Sequence, residues 1–295
     1  MVKLLQFARG ETIVIVPLIV AALGLAPQAI VRAQFVSGVN LVEVYATVTD
    51  RRGAPIAGLT AADFQVSEDG QPQRVTTFAA TEVPLALAIA IDRSFSMGSR
   101  LSWAKSAART LVGALVPADR AMVVSIGSET EIAAPLTLDR ASVFRAIERL
   151  DAWGTTPLYD ATMTAIDAVQ LAAGRRALVL LSDGRDRYSD TSSSALLERA
   201  RHDDVLVYPV AIGATRPAFF AELAAATGGR SFFARTPADL QTAMSAIARE
   251  LRGQYLLGYV PARPAADEPG WRAITVVVDR ADVAVRARDG YYARR

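Results

Sequence analysis

Asp92, Ser94 and Ser96 form an Asp-x-Ser-x-Ser triplet directly after the apolar run Leu85-Ala-Leu-Ala-Ile-Ala-Ile91. One carboxylate and two hydroxyls are hard oxygen ligands, of the kind that suits a small hard cation such as Mg²⁺. The apolar run reads as a strand buried on both faces. If it belongs to an open parallel sheet, its carboxyl end opens into the crevice where ligands bind. Two later segments carry oxygens of the same kind. Gly154-Thr-Thr-Pro-Leu-Tyr-Asp160 offers Thr155 and Thr156, and a second apolar strand, Ala177-Leu-Val-Leu-Leu181, runs into Ser182-Asp183-Gly184. A lone Ser/Asp triplet also serves as a helix cap. Three such segments, in order on alternating strands and helices, are much harder to reach by chance.

At these residues the chain resembles the von Willebrand factor type A domain. Its metal-ion-dependent adhesion site is an Asp-x-Ser-x-Ser, then a Thr, then an Asp at the end of the fourth strand. The matching positions are Asp92, Ser94, Ser96, Thr156 and Asp183. Thr156 is preferred over Thr155 because Thr156-Pro-Leu-Tyr-Asp160 keeps the family spacing. The resemblance implies Mg²⁺, or Mn²⁺ or Ca²⁺, with the Ser hydroxyls and often the Thr as direct ligands and one or both Asp acting through water. It further implies that an acidic side chain of a protein or peptide partner takes the remaining position on the cation. Arg93, Arg185 and Arg187 add positive charge nearby, which could weaken metal binding or attract an acidic ligand, or they are solvated loop residues. Asp186 and Asp190 could extend the site or hold Arg185 in place.

From Pro84 to about Arg252 strands alternate with amphipathic helices, so the expected fold is α/β, a Rossmann-like doubly wound sheet covered on both faces. Strands are expected at Leu85–Ile91, Ala121–Ile126, Ala177–Leu181, Val205–Ile212 and Ser231–Ala234, with Glu129–Ala133 as an antiparallel edge. Helices are expected near Leu101–Leu115, Arg140–Leu150, Tyr159–Ala172, Ser194–Arg201, Ala218–Ala226 and Pro237–Leu251, the last capped by Thr236.

Period-two patterns flank this segment on both sides. Before it come Leu41–Thr49 and a hairpin of Asp63–Glu68 with Gln73–Phe78 around an Asp69-Gly70 turn; after it come Gln254–Val260, Ala273–Asp279 and Val283–Ala287. Neither flank has enough strands to stand alone. Together they number about six or seven, so one β-sandwich with the α/β segment inserted is the economical expectation. The boundaries are 34–83 for the first strands, 84–252 for the α/β segment and 253–295 for the strands that complete the sandwich. Val48-Thr-Asp, Phe64…Glu68-Asp-Gly70 and the terminal Val285-Arg-Ala-Arg…Gly290-Tyr-Tyr292 make the chain similar to an exported family of type A-related proteins abundant in acidobacteria.

Lys3 and Arg9 precede the apolar stretch Thr12–Ala26, and Val31-Arg-Ala33 offers small residues at the positions a signal peptidase reads. Residues 1–33 are therefore expected to be a signal peptide cleaved near Ala33, giving a secreted or periplasmic protein; an uncleaved segment would be its only route to a membrane. The absence of Cys excludes disulfides. Loss of Lys3, Arg9, Arg32 and Glu11 with the signal leaves the rest of the chain neutral, and no basic stripe points to nucleic acid.

Catalysis is not expected. There is no Gly-x-Ser-x-Gly elbow and no phosphate-binding Gly-Lys-Ser/Thr loop, and the sole histidine, His202, reads as a surface residue near a helix end. A phosphotransferase with an Asp nucleophile would need an acidic residue where Ser94 stands. The functional expectation is a protein-binding module that docks an acidic group through the cation; the alternative is a metal-independent scaffold of the cell envelope.

Overall fold

The computed structural model describes residues 41–80, 83–264 and 269–293; the expected signal segment lies outside them. Its centre is a six-stranded sheet ordered β10-β9-β8-β5-β6-β7. Its strands are β5 (Leu85–Asp92), β6 (Arg120–Ile126), β7 (Thr130–Thr137), β8 (Arg175–Ser182), β9 (Leu206–Ile212) and β10 (Phe232–Ala234). All pairings are parallel except that of β7 with β6. The antiparallel edge is thus longer than the expected Glu129–Ala133.

Six helices cover the sheet: α1 (Leu101–Gly113), α2 (Arg140–Glu148), α3 (Leu158–Gln170), α4 (Ser193–His202), α5 (Ala218–Thr227) and α6 (Pro237–Arg252). Strand β5 shows how the sequence sorts the two faces. Leu85, Leu87, Ile89 and Ile91 point into the core shared with α1, α2 and α6, whereas Ala86, Ala88 and Ala90 point into the core shared with α3, α4 and α5. Small residues on one face let α3 lie close to the sheet. Thr236 caps α6 by accepting from the Asp239 amide, and Asp239 accepts back from the Thr236 amide, with Pro237 inside the first turn.

The flanking strands form two four-stranded sheets. One has the order β13-β1-β11-β4 and the other β14-β12-β2-β3. The N-terminal members are β1 (Val42–Asp50), β2 (Phe64–Glu68), β3 (Gln71–Gln73) and β4 (Val75–Ala80); the C-terminal ones are β11 (Gln254–Tyr259), β12 (Gly270–Val278), β13 (Val283–Arg286) and β14 (Gly290–Ala293). Strands from the two ends of the chain pair directly: β1 with β11 and β13, β4 with β11, and β2 with β12. The two sheets face one another across a single core of Val42, Val44, Ala46 and Val48 from β1, Phe64 and Val66 from β2, Tyr255, Leu257 and Tyr259 from β11, and Ile274 and Val278 from β12.

Two expectations change. The second hairpin strand is split at Arg74: β3 stays with β2 around the Asp69-Gly70 turn, whose residues both have positive φ (47° and 76°), while β4 crosses to the other sheet. The flanks supply eight strands rather than six or seven, because of this split and because Gly290–Ala293 pairs with β12. The sheet containing β1 is also buried on both sides. Tyr45 of β1 and Leu256 of β11 enter the core of the α/β layer, so this sheet lies between two cores.

Candidate functional site

The sheet order reverses direction at β5, with β6 on one side and β8 on the other, so the loops leaving β5 and β8 flank the crevice at the switch point. Asp92 ends β5, and Asp183 follows β8 by one residue. Asp92 is fully buried; Oδ1 accepts from the Ser94 amide at 3.0 Å and Oδ2 from the Ser182 hydroxyl at 2.6 Å. Burial pushes its carboxyl above the usual carboxylate range, against the pull of these hydrogen bonds. Ser94 is buried with its Oγ 3.1 Å from that of the exposed Ser96, at the entry to a 3-10 segment, Phe95–Arg100, that leads into α1.

Asp183 is 6% exposed. Its Oδ1 accepts from the Arg185 amide at 3.2 Å, but the buried Oδ2 has no hydrogen-bond partner. The nearest cation is Arg100, whose Nη2 lies 3.8 Å from that oxygen. Among the described residues no three His, Asp or Glu gather at one point. The site is therefore two carboxylates among hydroxyls.

The loop before α3 is bonded on both sides. The Trp153 amide donates to Arg93 O at 2.7 Å and the Phe95 amide to Gly154 O at 3.0 Å, tying the loop to the one after β5; the Arg187 amide donates to Thr156 O at 2.7 Å, tying it to the loop after β8. Gly154, at φ 84°, is needed here, because a Cβ would lie 2.5 Å from the Ser128 amide nitrogen. Thr156 is buried, whereas Thr155 is turned to Ser128, whose Oγ accepts from the Thr155 amide at 3.1 Å.

Of the neighbouring charges, Arg93 and Asp186 depart from the sequence-based alternatives, whereas Arg185 and Arg187 follow the solvated one. Arg93 is held against the sheet, with its guanidinium 3.6 Å from Glu131 and 5.2 Å from the centre of the Trp153 ring. Asp186 does not hold Arg185. It caps α3, accepting from the Ser189 hydroxyl at 2.5 Å and the Tyr159 amide at 3.2 Å, because Pro157 at the cap position has no side-chain acceptor to offer. Asp160 answers by accepting from the amides of Asp190 and Thr191 at 2.8 and 3.0 Å. Arg185 and Arg187 are exposed. His202 is half-buried and stacks on Tyr292 at 3.5 Å, joining α4 to β14. Sequence reasoning missed two partners here, Ser182 and Arg100. Ser182 was visible as the last residue of the second apolar strand; nothing in the spacing marked Arg100.

Residues 87–185, which include all five positions, match the sequence profile of the von Willebrand factor type A domain. No curated protein matches the chain. Among solved structures, a von Willebrand factor type A protein from Catenulispora acidiphila aligns with a TM-score of 0.55 at 17% identity, over 79% of this chain and 63% of its own. Proximal thread matrix protein 1 from the mussel byssus, solved with a zinc-occupied metal-ion-dependent adhesion motif, aligns with a TM-score of 0.52 at 14% identity, over 62% of this chain and 49% of its own. At these identities the likeness is one of fold. The α/β layer that carries Asp92, Ser94, Ser96, Thr156 and Asp183 has the fold of a von Willebrand factor type A domain, and its residues 87–185 match that family's profile.

Proposed function

We propose that the protein is an exported binding module that docks an acidic group of a partner protein or peptide through a divalent cation, Mg²⁺ or a similar hard ion, held by Asp92, Ser94, Ser96, Thr156 and Asp183. The observation that carries this reading is the Asp183 Oδ2: a buried carboxylate oxygen without a hydrogen-bond partner, at the switch point of the sheet. Buried charges are normally paired or coordinate metals. The donors are all oxygen and only two carry charge, which suits a hard cation and leaves its charge incompletely neutralised. A cation bound there supplies the positive charge that an acidic side chain would meet. The zinc-occupied motif of the mussel byssus protein supports a divalent ion in a site of this fold.

The chain's own residues divide the work. Asp92, fixed by Ser182 and the Ser94 amide, is a preformed ligand that need not reorganise. The bonds of the Gly154 and Thr156 carbonyls hold Thr156 between the loops that carry the two carboxylates. Phe95, Trp153 and Tyr188, which are 71%, 46% and 77% exposed, lie on these same three loops and offer apolar surface to a partner. Arg185 and Arg187, exposed on the third loop, favour an acidic one. Catalysis has no part in this reading.

The test is a pull-down from an envelope extract. Capture of the partner is expected with Mg²⁺ or Mn²⁺, to fail in EDTA, and to fail for Thr156→Ala, whose circular dichroism should match the parent. Capture that ignores both EDTA and Thr156→Ala would favour the metal-independent scaffold.

A further inference from the structure

Arg100 is the unexpected resident of this crevice. Its Nη2 donates to Ser96 O at 2.7 Å and its Nη1 to Ile212 O at 2.8 Å, so one guanidinium ties the triplet loop to the end of β9. The same group lies 3.8 Å from the Asp183 Oδ2, and its side chain is only 26% exposed. Gly213 makes room for it: its φ is 141°, and a Cβ there would sit 2.2 Å from Arg100 Nη1. No other cation lies within ion-pair distance of either Asp92 or Asp183 among the described residues.

We propose that Arg100 is a built-in counter-cation for the metal site. Its charge stabilises Asp183 when no metal is bound, so the domain folds without one, and it opposes the divalent ion once that ion arrives, holding metal affinity low. The proposal rests on the reading of the five residues as a metal centre. Its physical content is the sign of one interaction. A guanidinium beside a ligating carboxylate attracts the carboxylate and repels the metal, and the charges are partly shielded from water, where such interactions are stronger than in solvent. If Arg100 served only to place Ser96 through its carbonyl, removing it would weaken metal binding.

A charge series at this position separates the two. In the full chain, Mg²⁺ affinity is measured by calorimetry for the parent, R100Q and R100E, and melting temperature is measured with EDTA and with Mg²⁺. The counter-cation predicts tighter binding in R100Q, by about fivefold or more, and tighter again in R100E. It also predicts that the EDTA melting temperature falls in the same order, with a larger rise on adding Mg²⁺ in the variants than in the parent. Equal or weaker Mg²⁺ binding by R100Q overturns the proposal. If R100E fails to fold in EDTA, R100Q alone decides. If neither the parent nor any variant binds Mg²⁺, the metal reading falls and the competition with it; an unchanged EDTA melting temperature in R100Q would then remove the counter-charge role as well.

Discussion

The β-sandwich and the α/β layer each bury a carboxylate beside an arginine, and they treat it in opposite ways. In the sandwich Glu68, 1% exposed, is enclosed: Arg272 Nη1 donates to it at 3.0 Å, and the hydroxyls of Tyr259 and Tyr291 donate at 2.9 Å each. Burial, and after it the bonds to Glu68, push the Tyr291 phenol up to about 12, so it remains a donor at any physiological pH. In the α/β layer Asp183 has one oxygen with no hydrogen-bond partner and an arginine at 3.8 Å instead of 3.0 Å. A satisfied network fixes a fold; an unsatisfied oxygen at a strand end is available to a ligand.

The largest effect expected from this contrast concerns the two layers as pieces. Residues 35–83 expressed alone should not fold, because β1 and β4 find their strand partners, and β2 one of its two, in residues 254–286. Residues 84–252 alone should fold with a lower melting temperature than the whole chain. They keep a complete sheet and six helices but lose Tyr45 and Leu256 from their core, the Gln254 bond to Tyr208 and the Arg286 ion pair with the buried Glu250 at 2.6 Å. Hydrogen exchange on the separate pieces reads this. Native-like protection in 35–83 alone would mean that the flanks do not depend on one another.

The next effect compares the two carboxylates by one substitution. Glu68→Gln removes the charge of a buried network that Arg272, Tyr259 and Tyr291 share, and should cost about 3–5 kcal/mol in urea unfolding. Asp183→Asn breaks only the 3.8 Å ion pair with Arg100 and should cost less than Glu68→Gln in the metal-free protein, while abolishing Mg²⁺ binding. Equal costs at the two positions would erase the distinction between a closed and an open site.

Much of this was legible in the chain because the signals are local. Leu85–Ile91 alternates large and small residues, and the structure uses that alternation to give its two faces to different helices. The Asp69-Gly70 turn follows from two residues that tolerate positive φ. What was not legible depends on distant partners. The crossing of β4 to the second sheet is set by its pairing with β11, far away in sequence, and Arg74 gives no local sign of the break. The period-two pattern of Leu41–Thr49 marks a strand with one buried face, yet Tyr45 on the other face is covered by the α/β layer. Asp186 looked available to the site until Pro157 left α3 in need of a cap from elsewhere. Arg100 reads as one more charged residue at a helix start; only the folded crevice brings it to Asp183.

Mg²⁺ titration of the protein and of Asp92→Ala by calorimetry decides whether the oxygens around Asp92 hold a divalent cation. Weak binding of one ion by the parent and no measurable heat from Asp92→Ala are expected, with near-ultraviolet circular dichroism showing the variant still folded. Equal Mg²⁺ binding by the two proteins, or none by the folded parent, would contradict the metal reading.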